Sequence, residues 1–422
     1  MDKFLLIFSD KELRKKILFV LGILVVFRIA AALPVPGVDP FKLKQLFEGN
    51  QFLGLLNLFS GGALDNLSII MLGVGPYITA SIIMQLLTMI FPGLKEMYQE
   101  EGEAGRKKFN QYSRLLTVPL AIIQGFSLLI LLENREILEH LGLMERIISL
   151  TIIAAGSVFL MWLGELISEY GIGNGMSLII FAGIVASIPG SIQQVLLSFS
   201  SDKSLIFSIL GFLIAGILVV AAVVIITEGE RPIPVSYAKR VRGTRVYGGV
   251  STHLPLRVNQ AGVIPIIFAL SILLFPQMII NFTAQSGNEL VRSISNTILV
   301  FISSSWFYGA AYFILVFLFT YFYTAVTFDP EQISSNLQKQ GAFVPGIRPG
   351  RPTADYLSKI LTRITLVGAL FLGVIAVLPI AMQAATGFAA LTIGGTGLLI
   401  VVSVVLETVK QVEAQLVMRE YE

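Results

Sequence analysis

The chain has 422 residues, of which 55% are hydrophobic and only 14% are charged, with a formal net charge of +3. A soluble globular chain is about 45–50% apolar and about 25% charged, so this composition excludes a soluble enzyme, a disordered chain and a soluble nucleic-acid-binding domain. There is no cysteine and there are only two histidines, which excludes disulfides, thiolate chemistry and a multi-histidine metal site.

Apolar runs separated by charges, proline or glycine predict an all-α polytopic membrane protein. The apolar residues number about 232 (55% of 422), and a bilayer span takes about 20 of them, so the chain could supply about ten spans. Pro189 and Gly190 leave open where the fifth span ends. The predicted spans are 17–33, 69–91, 113–132, 147–168, 176–197, 205–227, 259–280, 299–323, 361–382 and 388–409.

Basic residues are distributed unequally between the two sides of these spans. An even number of spans puts both termini on one side, and 23 of the 30 Lys and Arg residues fall there, against 6 on the other side. The positive-inside rule therefore predicts cytoplasmic termini. Arg28 interrupts the first span just before Ala30-Ala31-Ala32, which favours an uncleaved helix over a signal peptide.

The spans divide into two halves of five, residues 1–200 and 201–422. An odd number of spans in each half predicts inverted pseudo-symmetry, the arrangement of many transport proteins. In the first half, residues 53–66 are apolar but too short to span, and Gly61-Gly62 breaks them. Two interpretations stay open: a helix on the membrane surface, or a re-entrant segment lined by protein or water.

The spans contain few ionisable groups, whereas an ion-coupled transporter needs them along its pathway. Glu165 and Glu169 share a helix face near the end of the fourth span, and we interpret them as a solvated face rather than a cation site. The run 171–175 is rich in glycine but lacks the Lys-Ser/Thr of a phosphate-binding loop. It predicts a tight interhelical turn.

Two large loops lie on the predicted cytoplasmic side, residues 228–257 and 329–363. Alternating apolar residues around Gly243-Thr244 predict a basic β-ribbon in the first loop. The second has an amphipathic stretch followed by the rigid run 346–350. Two roles remain open for these loops: contact with anionic lipid, or docking of an acidic or RNA-bearing partner.

Long motifs along the whole chain resemble the SecY/Sec61-alpha family of protein-conducting channels. The motifs are PVPGVD (34–39), NLFSGGAL (57–64), GPYITASIIMQLL (75–87), GEAGRKK (102–108), MWLGELISEYGIGNGMSLIIFAGIVA (161–186), VSYAKRVRGTRVYGG (235–249), THLPLRVNQAGVIPIIFA (252–269), FVPGIRPGRPT (343–353) and GGTGLLIVV (394–402). The resemblance implies a channel that passes unfolded secretory polypeptides across the bacterial cytoplasmic membrane and releases hydrophobic segments sideways into the bilayer.

The resemblance also implies roles for individual residues. An aliphatic pore ring is expected at Val74, Ile78, Ile180, Ile184, Ile267 and Ile400. A short re-entrant plug helix is expected at Asn57, Leu58, Phe59, Ser60, Gly61, Gly62, Ala63, Leu64 and Asp65. Polar lateral-gate positions are expected at Thr79 and Asn259, with Gln85 and Gln124 nearby. Docking of partners is expected at Lys239, Arg240, Arg242, Arg245 and Arg348.

The expected partners are SecE and SecG in a heterotrimer, the SecA ATPase, the ribosome, signal peptides, nascent polypeptides and membrane lipids. No cofactor, metal site or catalytic residue is expected, and SecA would supply ATP hydrolysis. Two other classes stay open on topology alone: a secondary transporter of small solutes and a structural membrane scaffold.

Overall fold

The structure is a computed structural model that describes residues 10–34, 57, 60–64, 67–134, 138, 142–201, 206–237, 240–242, 245–247, 251–283, 289–302, 304–386 and 390–420. These residues form a helical bundle with a small β-structure. The helices are α1 (Lys11–Ala31), α2 (Gly75–Ile90), α3 (Pro92–Gln99), α4 (Gly102–Asn134), α5 (Leu143–Tyr170), α6 (Gly175–Ser201), α7 (Ile206–Glu228), α8 (Ile264–Thr283), α9 (Glu289–Ile302), α10 (Ser305–Thr327), α11 (Pro330–Lys339), α12 (Arg351–Thr386) and α13 (Ala390–Glu420).

Each predicted span overlaps at least one of these helices. Helices α3 and α11 lie between spans, and the end of α9 overlaps the start of the predicted span 299–323. Among the described residues, four helices are long and apolar enough to cross a membrane, and a fifth qualifies if α2 and α3 count as one bent span. Shorter apolar stretches lie within α6, α7 and α8. The mostly helical membrane architecture therefore agrees with the sequence, while the number of ten spans stays a prediction.

Several predicted span boundaries differ from those of the helices. Residues 69–74 form turns, and α2 begins at Gly75 with Pro76 in its first turn, a position that needs no backbone N–H. Helix α6 continues through Pro189 to Ser201, so Pro189 and Gly190 do not end it early. At the end of α2, Pro92 starts α3 at an angle of 113° to α2, because proline disfavours a helical residue before it.

Polar caps begin several of the helices. Asp10 accepts a hydrogen bond from Glu12 N at 3.0 Å at the start of α1. Asp329 accepts from Glu331 N at 2.9 Å at the start of α11. These side chains satisfy backbone N–H groups that have no partner within the helix. The tight turn predicted at 171–175 is present between α5 and α6.

The two halves meet where α8 packs against α2 and α4, and where α13 packs against α6. A large cluster of buried aliphatic and aromatic side chains occupies the centre of the bundle. The helices that carry the predicted site residues therefore surround one common core.

The β-ribbon predicted in the first large loop is confirmed. Strand β1 (Glu230–Tyr237) pairs antiparallel with β4 (Ser251–Arg257), and between them β2 (Arg240–Arg242) pairs with β3 (Arg245–Tyr247). Strand β5 (Ala342–Phe343), from the second large loop, adds to the other edge of β1. A separate apolar core joins both loops to the start of α12. Its buried members are Ile233, Leu256, Val344, Leu357 and Ile360.

Candidate functional site

The six aliphatic residues predicted as a pore ring are all buried in the central core. They come from the start of α2, from successive turns of α6, from the first turn of α8 and from α13. Their exposed fractions are 0% for Val74, 8% for Ile78, 1% for Ile180, 5% for Ile184, 6% for Ile267 and 2% for Ile400. Branched aliphatic side chains offer no ligand for an ion and exclude water from a narrow constriction.

A cavity of about 450 Å³ brings three of these residues together. Ile78, Ile180 and Ile267 line it from α2, α6 and α8. The rest of its wall combines polar residues with the apolar Met176, Ile264 and Phe268. Its polar members are Tyr77, Ser81, Gln85, Asn110, Arg114, Glu165, Ser168, Glu169, Asn174, Ser177 and Tyr323. The cavity therefore places polar groups beside aliphatic side chains of the predicted ring.

An ion pair crosses the wall of this cavity. Arg114 Nε on α4 lies 2.5 Å from Glu165 Oε1 on α5. Glu165 is thus not simply the solvated carboxylate that its sequence position indicated, because a cation from a neighbouring helix pairs with it. Among the described residues, no group of three or more His, Cys, Asp and Glu side chains could hold a metal ion.

The described part of the predicted plug is a compact turn. Ser60, Ala63 and Leu64 are each at most 1% exposed. Ser60 Oγ accepts from Leu64 N at 3.0 Å and donates to Asn57 O at 3.0 Å, and Gly61 and Gly62 have φ of 68° and 80°. Leu58, Phe59 and Asp65 lie outside the described residues. Of its described residues, Asn57 and Gly62 are partly exposed and the others are buried, as suits a re-entrant segment that is lined by protein.

Contacts from outside the segment hold this turn against the bundle. Arg28 Nη1 on α1 donates to Gly61 O at 3.1 Å. Gly183 on α6 lies so close that a Cβ there would overlap Gly61 Cα. After the turn, Ile69 N donates to Leu33 O at 3.1 Å, which ties the chain back to the end of α1.

The predicted gate residues make hydrogen bonds within their own half. Thr79 on α2 is 6% exposed and its hydroxyl accepts from Gln124 Nε2 on α4 at 3.4 Å. Asn259, also 6% exposed, donates to Gly262 O at 3.2 Å. Gln85 Nε2 donates to Ser81 Oγ at 3.3 Å. Among the described residues, hydrogen bonding therefore joins Thr79 to Gln124 and not to Asn259.

The side-chain oxygens of Gln85 and Asn259 are buried and have no hydrogen-bond partner among the described residues. A buried amide oxygen without a partner costs free energy. Gln85 lies on α2 and Asn259 lies shortly before α8, the two helices between which the predicted gate would open.

The predicted docking residues lie on the two large loops. Arg348 is exposed, and the run around it is rigid: Ser334 Oγ donates to Gly350 O at 2.6 Å, and Thr353 Oγ1 donates to Arg348 O at 2.8 Å. Arg240, Arg242 and Arg245 lie on β2 and β3. Lys239 lies outside the described residues.

Some site features give no signal in the sequence. Arg114 and Glu165 are 51 residues apart, and Thr79 and Gln124 are 45 apart, so no local spacing could pair them. Gly183 lies within an apolar run where small residues usually indicate only close helix packing. Its contact with Gly61 depends on how the turn folds back.

Comparison with known proteins gives consistent similarities. A family model described as SecY matches residues 68–409. The protein translocase subunit SecY of Mycobacterium bovis (strain ATCC BAA-935 / AF2122/97) is 44% identical over 443 residues, covering 97% of this chain and 96% of that protein.

Two solved structures share the fold, each at 20% identity over 94% of this chain and 91% of the other. One is the SecY protein whose plug domain stabilises the closed state of the translocation channel and maintains a membrane seal, with a TM-score of 0.61. The other is Sec61 in the canine ribosome–channel complex from the endoplasmic reticulum, with a TM-score of 0.62.

Proposed function

The chain belongs to the SecY family, and we propose that it is the protein-conducting channel subunit of a bacterial Sec translocase. The observation that carries this proposal is the cavity in which polar groups lie beside Ile78, Ile180 and Ile267. A chamber with polar groups on its walls accommodates an unfolded chain in water, and an aliphatic constriction seals against ions while yielding to a passing side chain. Residues 57–65 would act as the plug.

The finer features of the proposal follow the same argument. Ten spans in two inverted halves, with both termini in the cytoplasm, account for the placement of 23 basic residues on one side. Contact of α8 with α2 and α4 supports a lateral gate between the halves, flanked by Thr79 and Asn259. Thr79 and Asn259 make their hydrogen bonds within their own halves, so no hydrogen bond between them holds the seam closed. Even a polar contact across such a seam, at about 0.6–2 kcal/mol, would yield to an apolar segment that gains about 0.8 kcal/mol per buried methylene.

Energy and assembly would come from partners. We propose SecA and the ribosome as the partners that dock on the loops 228–257 and 329–363, since rigid exposed basic groups there suit acidic or RNA surfaces. Support for the ribosome comes from the fold shared with Sec61 of a ribosome–channel complex. SecE and SecG would complete the complex in the bacterial cytoplasmic membrane.

Photocrosslinking tests the channel assignment. A stalled secretory chain should crosslink to photoprobes placed at Ile180 and Ile267, which line the cavity. A probe at Ile217 on α7, which is 69% exposed on the outside of the bundle, is the matched control and should give no crosslink. Crosslinking at Ile217 with none at the two cavity positions would refute the assignment.

A further inference from the structure

The described turn of the plug segment has two neighbours from other helices, one polar and one steric. The polar neighbour is Arg28, which donates to Gly61 O at 3.1 Å. The steric neighbour is Gly183, whose backbone lies against Gly61. Both reach the same peptide unit, from α1 and α6 respectively.

The steric contact requires glycine on both sides. A Cβ on Gly183 would overlap Gly61 Cα, and a Cβ on Gly61 would lie 2.5 Å from Phe27 Cζ. Phe27 is fully buried and has little room to move. Gly61 also has φ of 68°, a left-handed conformation that glycine adopts without strain. The turn therefore fits this place in one position only, between α1 and α6.

The position of this contact links it to the predicted constriction. Gly183 lies between Ile180 and Ile184 on α6, both of them buried predicted ring residues. A turn packed on Gly183 is therefore held at the level of the ring.

The polar contact places a cation beside a neutral carbonyl. Arg28 lies near the end of α1 and is exposed, although its helix neighbour Phe27 is fully buried. A charged side chain in a membrane-spanning segment is costly and normally marks a functional contact. A hydrogen bond from a charged donor contributes more than a neutral one.

We propose that Arg28 and Gly183 form the seat of the plug: Gly183 sets where the turn packs, and Arg28 holds it there. Arg28 is then a positioning residue that acts through Gly61 O and makes no contact with the passing chain. This inference rests on the proposed function, because it takes residues 57–65 as the plug. It assigns to Arg28 a role in keeping the channel closed, beyond the structural pairing expected of an arginine in a span.

The hydrogen bond between Arg28 and Gly61 is strong enough to hold the plug in the closed channel and weak enough to break when a polypeptide enters. Losing one hydrogen bond to a charged group shifts an equilibrium by about ten- to a hundredfold, and for this single bond of 3.1 Å we expect the lower end of that range. A hold of this size keeps the plug seated at rest and still allows a translocating chain to displace it.

Chemical labelling measures the seat directly. The sequence has no cysteine, so Ser60→Cys, at a side chain 1% exposed, is a unique target for a membrane-impermeant maleimide added from the external side. Arg28→Met should raise its labelling rate by about tenfold and make the closed channel leak ions. Arg28→Lys keeps the positive charge on a shorter side chain, so it should raise the labelling rate and the ion leak by less than Arg28→Met does. Arg14→Met removes an exposed arginine earlier in α1 and should leave both readouts unchanged.

A second pair of variants tests the steric half of the seat. Gly183→Ala should displace the turn and raise both labelling and leak, because a methyl group there overlaps Gly61. Gly190→Ala on the same helix is the matched control, since a Cβ there meets nothing within 4 Å. If Arg28→Met fails to accumulate in the membrane, labelling and ion leak are measured in Arg28→Lys and Gly183→Ala instead.

Deleting residues 57–65 shows whether Arg28 acts through the plug. In the deleted channel, which should itself leak, Arg28→Met should add no further conductance. The seat is refuted if labelling of Ser60→Cys is unchanged in Arg28→Met and Gly183→Ala, or if Arg28→Met still raises conductance after the deletion. Loss of the Ile180 and Ile267 crosslinks would instead refute the channel assignment, whatever the labelling shows.

Discussion

Arg28 and Arg114 both lie on predicted spans, and the structure supplies each with a different partner. Arg28 donates to a backbone carbonyl at 3.1 Å, whereas Arg114 pairs with the carboxylate of Glu165 at 2.5 Å. A charged group that is removed from water needs a partner because desolvation of a lone ion is costly, and this applies most to Arg28, which interrupts an apolar span. The predicted ring residues, by contrast, have only alkyl side chains and offer nothing that binds an ion.

The hydroxyl variant Ile180→Ser tests the ring at the level of one side chain. A hydroxyl at this buried position should favour water in the constriction, so we expect a measurable ion leak in single-channel or vesicle-flux recordings. Ile180→Val is the control: it keeps the surface apolar and costs only about 0.5–1.5 kcal/mol of stability. Equal conductance in the two variants would argue against a hydrophobic seal at Ile180.

Charge reversal at Arg348 tests docking. Because Arg348 is exposed on a loop that its own hydrogen bonds make rigid, Arg348→Glu should impair SecA-driven export several-fold while the complex still assembles. Lys339→Glu, an equal charge change at the exposed end of α11, should have a smaller effect. Loss of assembly in Arg348→Glu would show that this arginine is structural.

Two elements far apart in the chain are joined by the small sheet. Strand β1 pairs with β4 on one edge and with β5 on the other, and β4 leads within a few residues into α8. Val258 N, just after β4, donates to Gly229 O at 2.8 Å, and a Cβ on Gly368 of α12 would lie 2.7 Å from Val258 O. The loop that carries Arg348 is thus connected through close packing to a helix of the predicted gate.

The variant Leu357→Ala tests this connection. Leu357 is fully buried in the core shared by the two loops, and such a truncation typically costs about 2–5 kcal/mol. We expect faster proteolysis of the 228–257 loop and weaker SecA-driven export. Leu370→Ala is the same change on the same helix at a side chain that is 44% exposed. It should change neither the proteolysis rate of the loop nor SecA-driven export. Similar proteolysis rates in both variants would mean that the loops do not depend on this core.

At the scale of the whole molecule, the halves are held together by helices from each. Helix α8 of the second half packs on α2 and α4 of the first, and α13 packs on α6. Because such contacts between apolar helices have no strong hydrophobic driving force within lipid, close packing and a few polar contacts determine how firmly the halves stay together. The side-chain oxygens of Gln85 on α2 and of Asn259, shortly before α8, have no hydrogen-bond partner among the described residues.

Single cysteines test the predicted topology of the whole chain. Lys11→Cys and Ala414→Cys, at exposed positions near the two termini, should react with an impermeant maleimide only after the membrane is permeabilised. Leu143→Cys, at the start of α5 where the side chain is 80% exposed, should react in intact cells. Reaction of only one terminus in intact cells would contradict an even number of spans.

The amino-acid sequence by itself determined the membrane class, the approximate position of each apolar helix and the β-ribbon. These follow from local properties: runs of apolar residues report burial in lipid, alternation reports a strand, and lysine and arginine counts predict orientation. The motifs also located the aliphatic residues that the structure buries in one core. Helix boundaries were less well predicted, as at residues 69–74 and beyond Pro189. Helix propensity alone does not fix where a helix ends, because its terminal residues also depend on the structure around them.

Only the tertiary structure decided which of these residues meet. Gly61 lies against Gly183, Thr79 bonds to Gln124, and the two large loops share one core. Hydrophobic periodicity shows which face of a helix is apolar, but in a bundle where most faces are apolar it does not choose a neighbour. Close packing determines which helices become neighbours. Two backbones approach closely only where the side chains between them are small, and a buried polar atom is stable only where a hydrogen-bond partner is near.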